Sequence, residues 1–239
     1  MLDTKYLQEL YKEGFVPGPK EDDLSFQKRV ALVKTLLASP EIFLEKLKIP
    51  YAEILHVTPY FLSIRGKKKL PFWFGAMTWI YEEEGHKIPI LELPQKTRGI
   101  GLTQDDLIAH EEIHFLRASF NEPKFEEILA YRTSRSGWRR ILGPLFQHPW
   151  ESYVAIILCL FIPFFPLLAA TIALPLFRLT LYQWLFKRAL KKLSLLYTNA
   201  EELIVLFTDR EIIKLAFSHY PNFEHMSLRG KLIEQIALL

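Results

Sequence analysis

A long stretch without charged side chains is the feature that most constrains how this chain can fold. It runs from Ser152 to Phe177, and the chain continues apolar from Leu179 to Phe186 after the single charge of Arg178. A stretch of this length is close to what one crossing of a bilayer requires. Basic residues flank it on both sides, so the distribution of positive charge predicts no orientation.

Two prolines, Pro163 and Pro166, lie near the middle of this stretch. Proline bends or ends a helix because it lacks the backbone N–H group and its ring clashes with the preceding turn. We therefore expect a bent helical hairpin that enters a membrane and returns to the same face. A single straight span and a hairpin buried in a soluble core are the alternatives.

The composition agrees with a polar domain joined to an apolar segment, because half of the 239 residues are hydrophobic while 24% are charged. The net charge of +3 is too small to indicate a nucleic-acid-binding protein. The one cysteine, Cys159, excludes an intramolecular disulfide. Residues Met1 to Glu13 carry several charges and do not resemble a secretory signal. We expect a membrane protein whose polar domain is cytoplasmic.

The sequence from His110 to His114 has the pattern H-E-x-x-H. In a helix, residues four apart share a face, so both imidazoles can bind one metal ion. Glu111 follows the first histidine, and its carboxylate can reach a metal-bound water without binding the metal itself. Two neutral nitrogens, an open coordination position and an adjacent base are typical of a zinc hydrolase. A solvated helix with two exposed histidines is the alternative.

A catalytic zinc requires a third protein ligand, and two glutamates follow at a short distance. Glu126 and Glu127 fall in a predicted helix that begins at Lys124 or Phe125 and extends to about Ser136. We favour Glu127, because the small side chain of Ala130 on the same face allows the two helices to approach closely. Glu126 is the alternative ligand. An acidic first turn that stabilises the helix dipole is the structural alternative for both.

The predicted fold class is α+β. It comprises a small sheet, the active-site helix with the H-E-x-x-H motif, a following glutamate helix, a membrane-embedded helical hairpin and a helical C-terminal tail. Strands are predicted at Tyr60–Ile64, Phe72–Tyr81 and Ile88–Leu93. The predicted domains are a metallopeptidase-like domain (1–140), a membrane-embedded segment (141–192) and a C-terminal helical region that packs on the catalytic domain (193–239).

The run from His110 to Arg132 resembles the gluzincin metallopeptidases, and most of all the small minigluzincins, which are described as minimal catalytic domains of integral-membrane metallopeptidases. The resemblance implies a Zn²⁺ ion held by His110, His114 and Glu127. It also implies hydrolysis of peptide bonds in a peptide or protein substrate, with Glu111 as the general base.

A second resemblance concerns the strand Gly75-Ala76-Met77-Thr78-Trp79, which is similar to the Gly-Ala-Met-Glu-Asn strand of gluzincin aminopeptidases. It implies that Gly75, Ala76, Met77 and Thr78 lie on an edge strand that pairs with the substrate backbone. Thr78 stands where those enzymes have the glutamate that recognises a free amino terminus, which argues against aminopeptidase activity.

Two further residues have more than one candidate role. Tyr131 is a candidate donor to the oxyanion of the transition state, with His219 and Tyr220 as alternatives. Arg117 could hold Glu126 or the ligating carboxylate, and a surface salt bridge is equally compatible with its position. The expected protein is a membrane-anchored zinc metallopeptidase with the lipid bilayer and a peptide as partners. A non-catalytic or latent zinc-binding membrane scaffold is the alternative.

Overall fold

A computed structural model describes residues 2–67, 76–95, 103–147, 149–161, 169–218 and 227–238, with no side-chain description at 149 and 169–172. The chain divides into two compact units, Met1–Asn121 with Glu224–Leu239, and Glu122–Phe223. This division falls between Asn121 and Glu122, whereas the sequence places a domain boundary after residue 140.

The first unit contains three helices, then four strands, then the helix of the H-E-x-x-H motif: α1 (Thr4–Lys12), α2 (Asp23–Leu37), α3 (Pro40–Lys46), β1 (Tyr51–Val57), β2 (Leu62–Gly66), β3 (Met77–Glu83), β4 (His86–Leu93) and α4 (Gln104–Leu116). The second unit contains α5 (Glu126–Arg132), α6 (Gly137–Leu142), α7 (Pro149–Phe161), α8 (Ala169–Ser194), α9 (Ala200–Val205) and α10 (Asp209–Phe217). The last helix, α11 (Leu228–Ala237), belongs to the first unit, where Gln8 of α1 donates a hydrogen bond to Gln235.

The four strands form one sheet in the order β1-β2-β4-β3. β4 pairs with β3 as an antiparallel hairpin and with β2 in parallel, with Leu62 opposite Ile90. In β4 every residue from Ile88 to Leu93 is buried, which is typical of a strand covered on both faces. Because β4 is internal, β3 is an edge of the described sheet.

The mixed α+β class with a small sheet is confirmed, although the bounds of its strands differ from the prediction. The sequence does not predict β1, and β2 continues through Arg65 and Gly66, which the sequence predicts to be a turn. Residues 72–75 of the predicted second strand lie outside the described residues, and β3 continues to Glu83.

Both helices of the predicted site end early. Helix α4 ends at Leu116, and Asn121 then adopts a positive φ of 53°. The helix predicted to extend to Ser136 ends at Arg132, where the Thr133 hydroxyl donates to the carbonyl of Ala130 at 2.7 Å. The same carbonyl accepts from the amide of Thr133 at 3.2 Å, so Thr133 closes the last turn of the helix.

One close contact crosses the sheet between β2, β3 and β4. The carboxylate of Glu92 is buried and accepts a hydrogen bond from the indole nitrogen of Trp79 at 2.9 Å. A Cβ atom added to Gly66 would lie 1.6 Å from Oε1 of Glu92, so the absence of a side chain at Gly66 makes room for this carboxylate. The same Glu92 pairs in register with Met77 of β3.

Helix α4 packs on the sheet through a small apolar cluster. Leu107 and Phe115 of the helix contact Leu91 and Leu93 of β4 and the neighbouring Phe61, whose ring lies 4.9 Å from that of Phe115. Leu107 and Phe115 are two helical turns apart and therefore share a face. This packing fixes which face of α4 is turned towards the sheet.

In the second unit, α8 is the long central helix. A capping box starts α10, because Thr208 accepts from the amide of Glu211 and the Glu211 carboxylate accepts from the amide of Thr208. α7 and α8 lie on either side of residues 162–168, so the predicted bend at Pro163 and Pro166 is outside the described residues. Among the residues that the structure describes, no helix combines the length and hydrophobicity needed to cross a membrane.

Candidate metal centre

The helix that carries the H-E-x-x-H motif has a well-defined start. Thr103 accepts a hydrogen bond from the amide of Asp106 at 3.1 Å, and the Asp106 carboxylate accepts from the amide of Thr103 at 3.2 Å. Reciprocal bonds of this kind satisfy two of the amide groups that a helix start leaves unpaired. This capping box fixes where the helix begins and therefore the face on which the two histidines lie.

The two histidines of the motif point at one location. The Nε2 atoms of His110 and His114 are 3.2 Å apart, and both side chains are half-buried. Two imidazole ligands of a tetrahedral zinc, each about 2.0–2.1 Å from the metal, have nitrogens separated by about 3.3 Å. The observed separation agrees with that value, although a hydrogen bond between the two rings gives a similar distance. A third donor is therefore what distinguishes a metal site from a histidine pair.

Glu127 supplies that third donor. One nitrogen from each of His110 and His114 and one carboxylate oxygen of Glu127 all lie within 4.8 Å of one another, and all three side chains are half-buried. Two neutral nitrogens and one carboxylate are a donor set that catalytic zinc accepts, with a fourth position left for water or substrate. The cluster could therefore hold a metal ion.

The start of the glutamate helix is itself fixed within the second unit. The carboxylate of Asp209, which is 7% exposed, accepts from the amide of Lys124 at 2.9 Å and from that of Phe125 at 3.4 Å. These amides precede α5, whose first two residues are Glu126 and Glu127. Asp209 therefore holds the backbone from which the candidate ligand projects.

Glu111 lies beside the histidines and is held from the sheet. The hydroxyl of Thr78, on the edge strand β3, donates a hydrogen bond to Oε2 of Glu111 at 3.1 Å. The bond limits the rotation of the Glu111 side chain, because a hydrogen bond to a carboxylate is among the stronger hydrogen bonds. Both partners belong to the first unit.

Glu112, the other acidic residue of the motif, has different surroundings. Burial raises the pKa of Glu112, and the nearby His56 opposes this effect. Burial also raises the pKa of the Tyr60 hydroxyl, with a smaller contribution from the negative charge of Glu112. Glu112 is thus near enough to Tyr60 and His56 for their charges to interact, whereas Glu111 accepts a hydrogen bond from Thr78.

The remaining predicted site residues have varied surroundings. Arg117 is 1% exposed and its guanidinium stacks on the ring of Phe120 at 4.5 Å, which excludes a surface salt bridge. Glu126 is half-buried on the first turn of α5. The ring of Tyr131 packs against Gly143 and lies under the guanidinium of Arg139. The roles predicted for these three residues stay predictions, and His219 and Tyr220 lie outside the described residues.

The predicted substrate strand is described in part. Gly75 lies outside the described residues, and Ala76 packs against the apolar cluster under α4. Met77 and Thr78 begin β3, and the side chain of Thr78 is exposed. Since β3 is an edge of the described sheet, its outer side has the geometry to accept another strand.

Two contributions to the site have no signal in the sequence. The sequence assigns Thr78 to substrate binding and does not indicate its bond to Glu111, 33 residues away. It indicates Asp209 only as part of a helix start, whereas the contact with the backbone before α5 joins positions 84 and 85 residues apart. Long-range pairings of this kind depend on the packing of whole elements.

Comparison with protein families, with curated proteins and with solved structures found no match. The resemblance to gluzincins therefore stays an expectation drawn from the residues of the motif and its surroundings.

Proposed function

We propose that this chain is a zinc metallopeptidase that hydrolyses internal peptide bonds. The observation that carries the proposal is the cluster of His110, His114 and Glu127, with Glu111 beside it. The donor set fits zinc, since it combines two imidazoles with one carboxylate and contains no fourth protein ligand among the described residues. A structural zinc site is normally closed by four protein ligands, so an open set favours catalysis.

His110, His114 and Glu127 would hold the ion. When bound, zinc acts as a Lewis acid and makes a coordinated water more acidic, with a pKa of about 7. Glu111 accepts the proton of the attacking water at its carboxylate and then donates it to the leaving amine. Thr78 holds Oε2 of Glu111 during this transfer, so the base keeps its orientation.

The edge strand supplies a binding mode for the substrate. An extended peptide can add to the outer side of β3 by backbone hydrogen bonds, which places it alongside Thr78 and hence near Glu111. The exposed hydroxyl at position 78 has no negative charge with which to bind a free amino terminus. We therefore propose cleavage within peptides rather than removal of the first residue.

The ligand set is tested by measuring zinc in purified variants. We expect wild-type protein to retain one zinc per chain after dialysis, and His114→Ala and Glu127→Ala to lose it, because each removes one of three protein ligands. Glu126→Ala is the matched control, since it removes a neighbouring carboxylate from the same helical turn. If Glu127→Ala retains zinc and Glu126→Ala loses it, the third ligand is Glu126 and not Glu127.

The catalytic role is tested with Glu111→Gln, which preserves size and removes the base. Zinc content should persist while the rate of peptide hydrolysis falls by about a hundredfold to ten-thousandfold. Glu112→Gln is the control and should retain both zinc and activity, because Glu112 lies near Tyr60 and His56. If zinc-loaded wild-type protein cleaves no member of a diverse peptide library, the non-catalytic scaffold replaces this proposal.

A further inference from the structure

An ion pair joins the two ends of the apolar stretch in the second unit. Arg178 of α8 donates two hydrogen bonds to the carboxylate of Glu151 at the start of α7, at 2.9 and 2.7 Å. The same guanidinium donates to the carbonyl of Leu145, and Glu151 also accepts from the amide of Gln147. The chain thus leaves Glu151 and returns to it at Arg178, and the sequence between them carries no charge.

This ion pair neutralises the two charges that border the apolar stretch. A bidentate arginine–carboxylate pair has strong hydrogen bonds and no net charge, so it can lie at an apolar boundary at a lower cost than either ion alone. The Glu151 and Arg178 side chains are 13% and 28% exposed, respectively. We call this pair the base. The uncharged residues between Glu151 and Arg178 lie below it, and the flanking residues, which include charged side chains such as Arg140 and Lys187, lie above it.

Apolar side chains below this base are exposed in the structure. Their exposed fractions range from 43% to 69%, for Val154, Ile156, Ile157, Leu160, Phe161, Leu174, Leu176 and Phe177. On α8, Leu174, Leu176 and Phe177 lie within an arc of about 160° around the helix, at about 100° per residue, so they form one wide apolar face. Exposed apolar surface of this extent marks an interaction site, and the hydrocarbon phase of a membrane can cover the apolar faces of α7 and α8 together.

The depth of the apolar part corresponds to half a bilayer. The helical rise of about 1.5 Å per residue gives about 15 Å from Glu151 to Phe161 and about 14 Å from Ala169 to Arg178. The hydrocarbon core of a bilayer is about 30 Å thick, so each helical arm is as long as one leaflet is thick.

Residues on the polar side of the base suit the lipid headgroup region. Trp150 and Trp184 are 60% and 47% exposed, and tryptophan is enriched where hydrocarbon meets headgroups. Arg140 and Lys187 line one cleft of about 390 Å³ together with Gln183, and both side chains are exposed. Two cations beside an apolar surface are complementary to an anionic phospholipid.

We propose that the helices α7 and α8 insert into one leaflet of a lipid bilayer as far as the Glu151–Arg178 pair, with Arg140 and Lys187 binding the phosphate of an anionic lipid. The protein is then attached to one face of the membrane without crossing it. This attachment does not depend on the zinc site, so His114→Ala should bind membranes as the wild type does.

Vesicle binding tests the apolar contact. Full-length protein should sediment with phosphatidylcholine vesicles that contain phosphatidylglycerol, and Ile157→Glu with Leu160→Glu should weaken this binding on the order of a hundredfold or more. Leu24→Glu with Ile42→Glu is the matched control, because these residues are also apolar and exposed, at 63% and 69%, but lie on α2 and α3. Equal loss of binding by both pairs would overturn the proposal.

The headgroup contact is tested with Arg140→Gln and Lys187→Gln. We expect this pair to lower the preference for vesicles with phosphatidylglycerol and to leave binding to pure phosphatidylcholine unchanged. Lys5→Gln with Lys28→Gln removes the same charge from exposed positions of α1 and α2 and should preserve the preference. If the control pair lowers the preference equally, the attraction is a property of the net charge and the assigned cleft is wrong.

A label on the native Cys159 can report how deeply α7 inserts into the bilayer. Cys159 is exposed on α7 and lies eight residues, or about 12 Å, beyond Glu151. A fluorophore attached there should become inaccessible to iodide and be quenched by brominated lipid chains when vesicles are added. A label that stays accessible to iodide on vesicle-bound protein would exclude insertion. Protection of the label without vesicles, together with a concentration-dependent dimer, would assign the apolar surface to a second copy of the chain.

Discussion

Glu111 and Glu112 are adjacent in the chain, yet their surroundings suit different roles. Glu111 is held by a hydroxyl from the sheet, whereas Glu112 is desolvated beside Tyr60. A general base must keep a fixed orientation towards the proton it accepts. In the mechanism that we propose, the hydrogen bond from the hydroxyl of Thr78 gives Glu111 this orientation.

We expect Thr78→Val to lower kcat by about tenfold to a hundredfold with little change in KM or zinc content. Valine has nearly the shape of threonine but cannot donate a hydrogen bond, and a bond to a charged group contributes about 1.5–3 kcal/mol. Steady-state kinetics and metal analysis measure the three quantities.

Thr78→Ser is the companion variant, because it restores the hydroxyl and should recover most of kcat. Thr35→Val removes an exposed hydroxyl from α2 and should have no effect on catalysis. If Thr78→Ser is as slow as Thr78→Val, the methyl group of threonine, and not its hydroxyl, is the important part.

At the scale of the elements, α4 and α5 differ in how far the sequence predicts them. The start of α4 is predictable because its capping box is encoded within four consecutive residues, Thr103 to Asp106. The start of α5 is held by Asp209, which no local pattern connects to it. Capping by a nearby residue can be predicted from the sequence, whereas capping by a distant carboxylate can be identified only from the tertiary structure.

The strands also depend on pairings that a local pattern does not predict. The pairing of β1 with β2 is interrupted by two register shifts, after Tyr51 and after Ile54. These shifts disrupt the alternation expected of a half-buried strand, so the sequence does not predict β1. The parallel pairing of β2 with β4 also has no local signal, since it joins strands that are not consecutive. The candidate ligands are predictable because their chemistry depends on a short motif, whereas the Thr78–Glu111 bond depends on sheet order.

We expect Asp209→Ala to destabilise the protein by about 1–3 kcal/mol and to weaken zinc binding. It leaves two amides near the start of α5 without their acceptor and loosens the backbone that carries Glu127. Chemical denaturation and zinc titration measure the two effects.

Asp22→Ala is the matched control, since Asp22 caps α2 by accepting from the amide of Ser25 at 2.7 Å. It should reduce stability without changing zinc affinity. An equal loss of zinc affinity in both variants would mean that general destabilisation, and not the position of α5, weakens the site.

At the scale of the whole molecule, the metal should contribute to stability, because a ligand that binds only the folded state stabilises it by mass action. With free zinc at a hundredfold over its Kd, the gain is about 2.7 kcal/mol. For a chain of this size we expect chelation to lower Tm by about 5–10 °C. Thermal unfolding with and without a chelator measures the shift, and His114→Ala should show none. A shift of equal size in His114→Ala would place the stabilising zinc elsewhere.

The contact between Gly66 and Glu92 restricts how this chain can diverge in evolution. A Cβ atom at Gly66 would lie 1.6 Å from Glu92 Oε1, so a side chain at position 66 requires this carboxylate to move or to be replaced by a smaller residue. Either change disturbs the acceptor of the hydrogen bond from Trp79 on the edge strand. Homologous sequences should consequently vary at the three positions together, and this covariation would identify relatives whose edge strand has the same support.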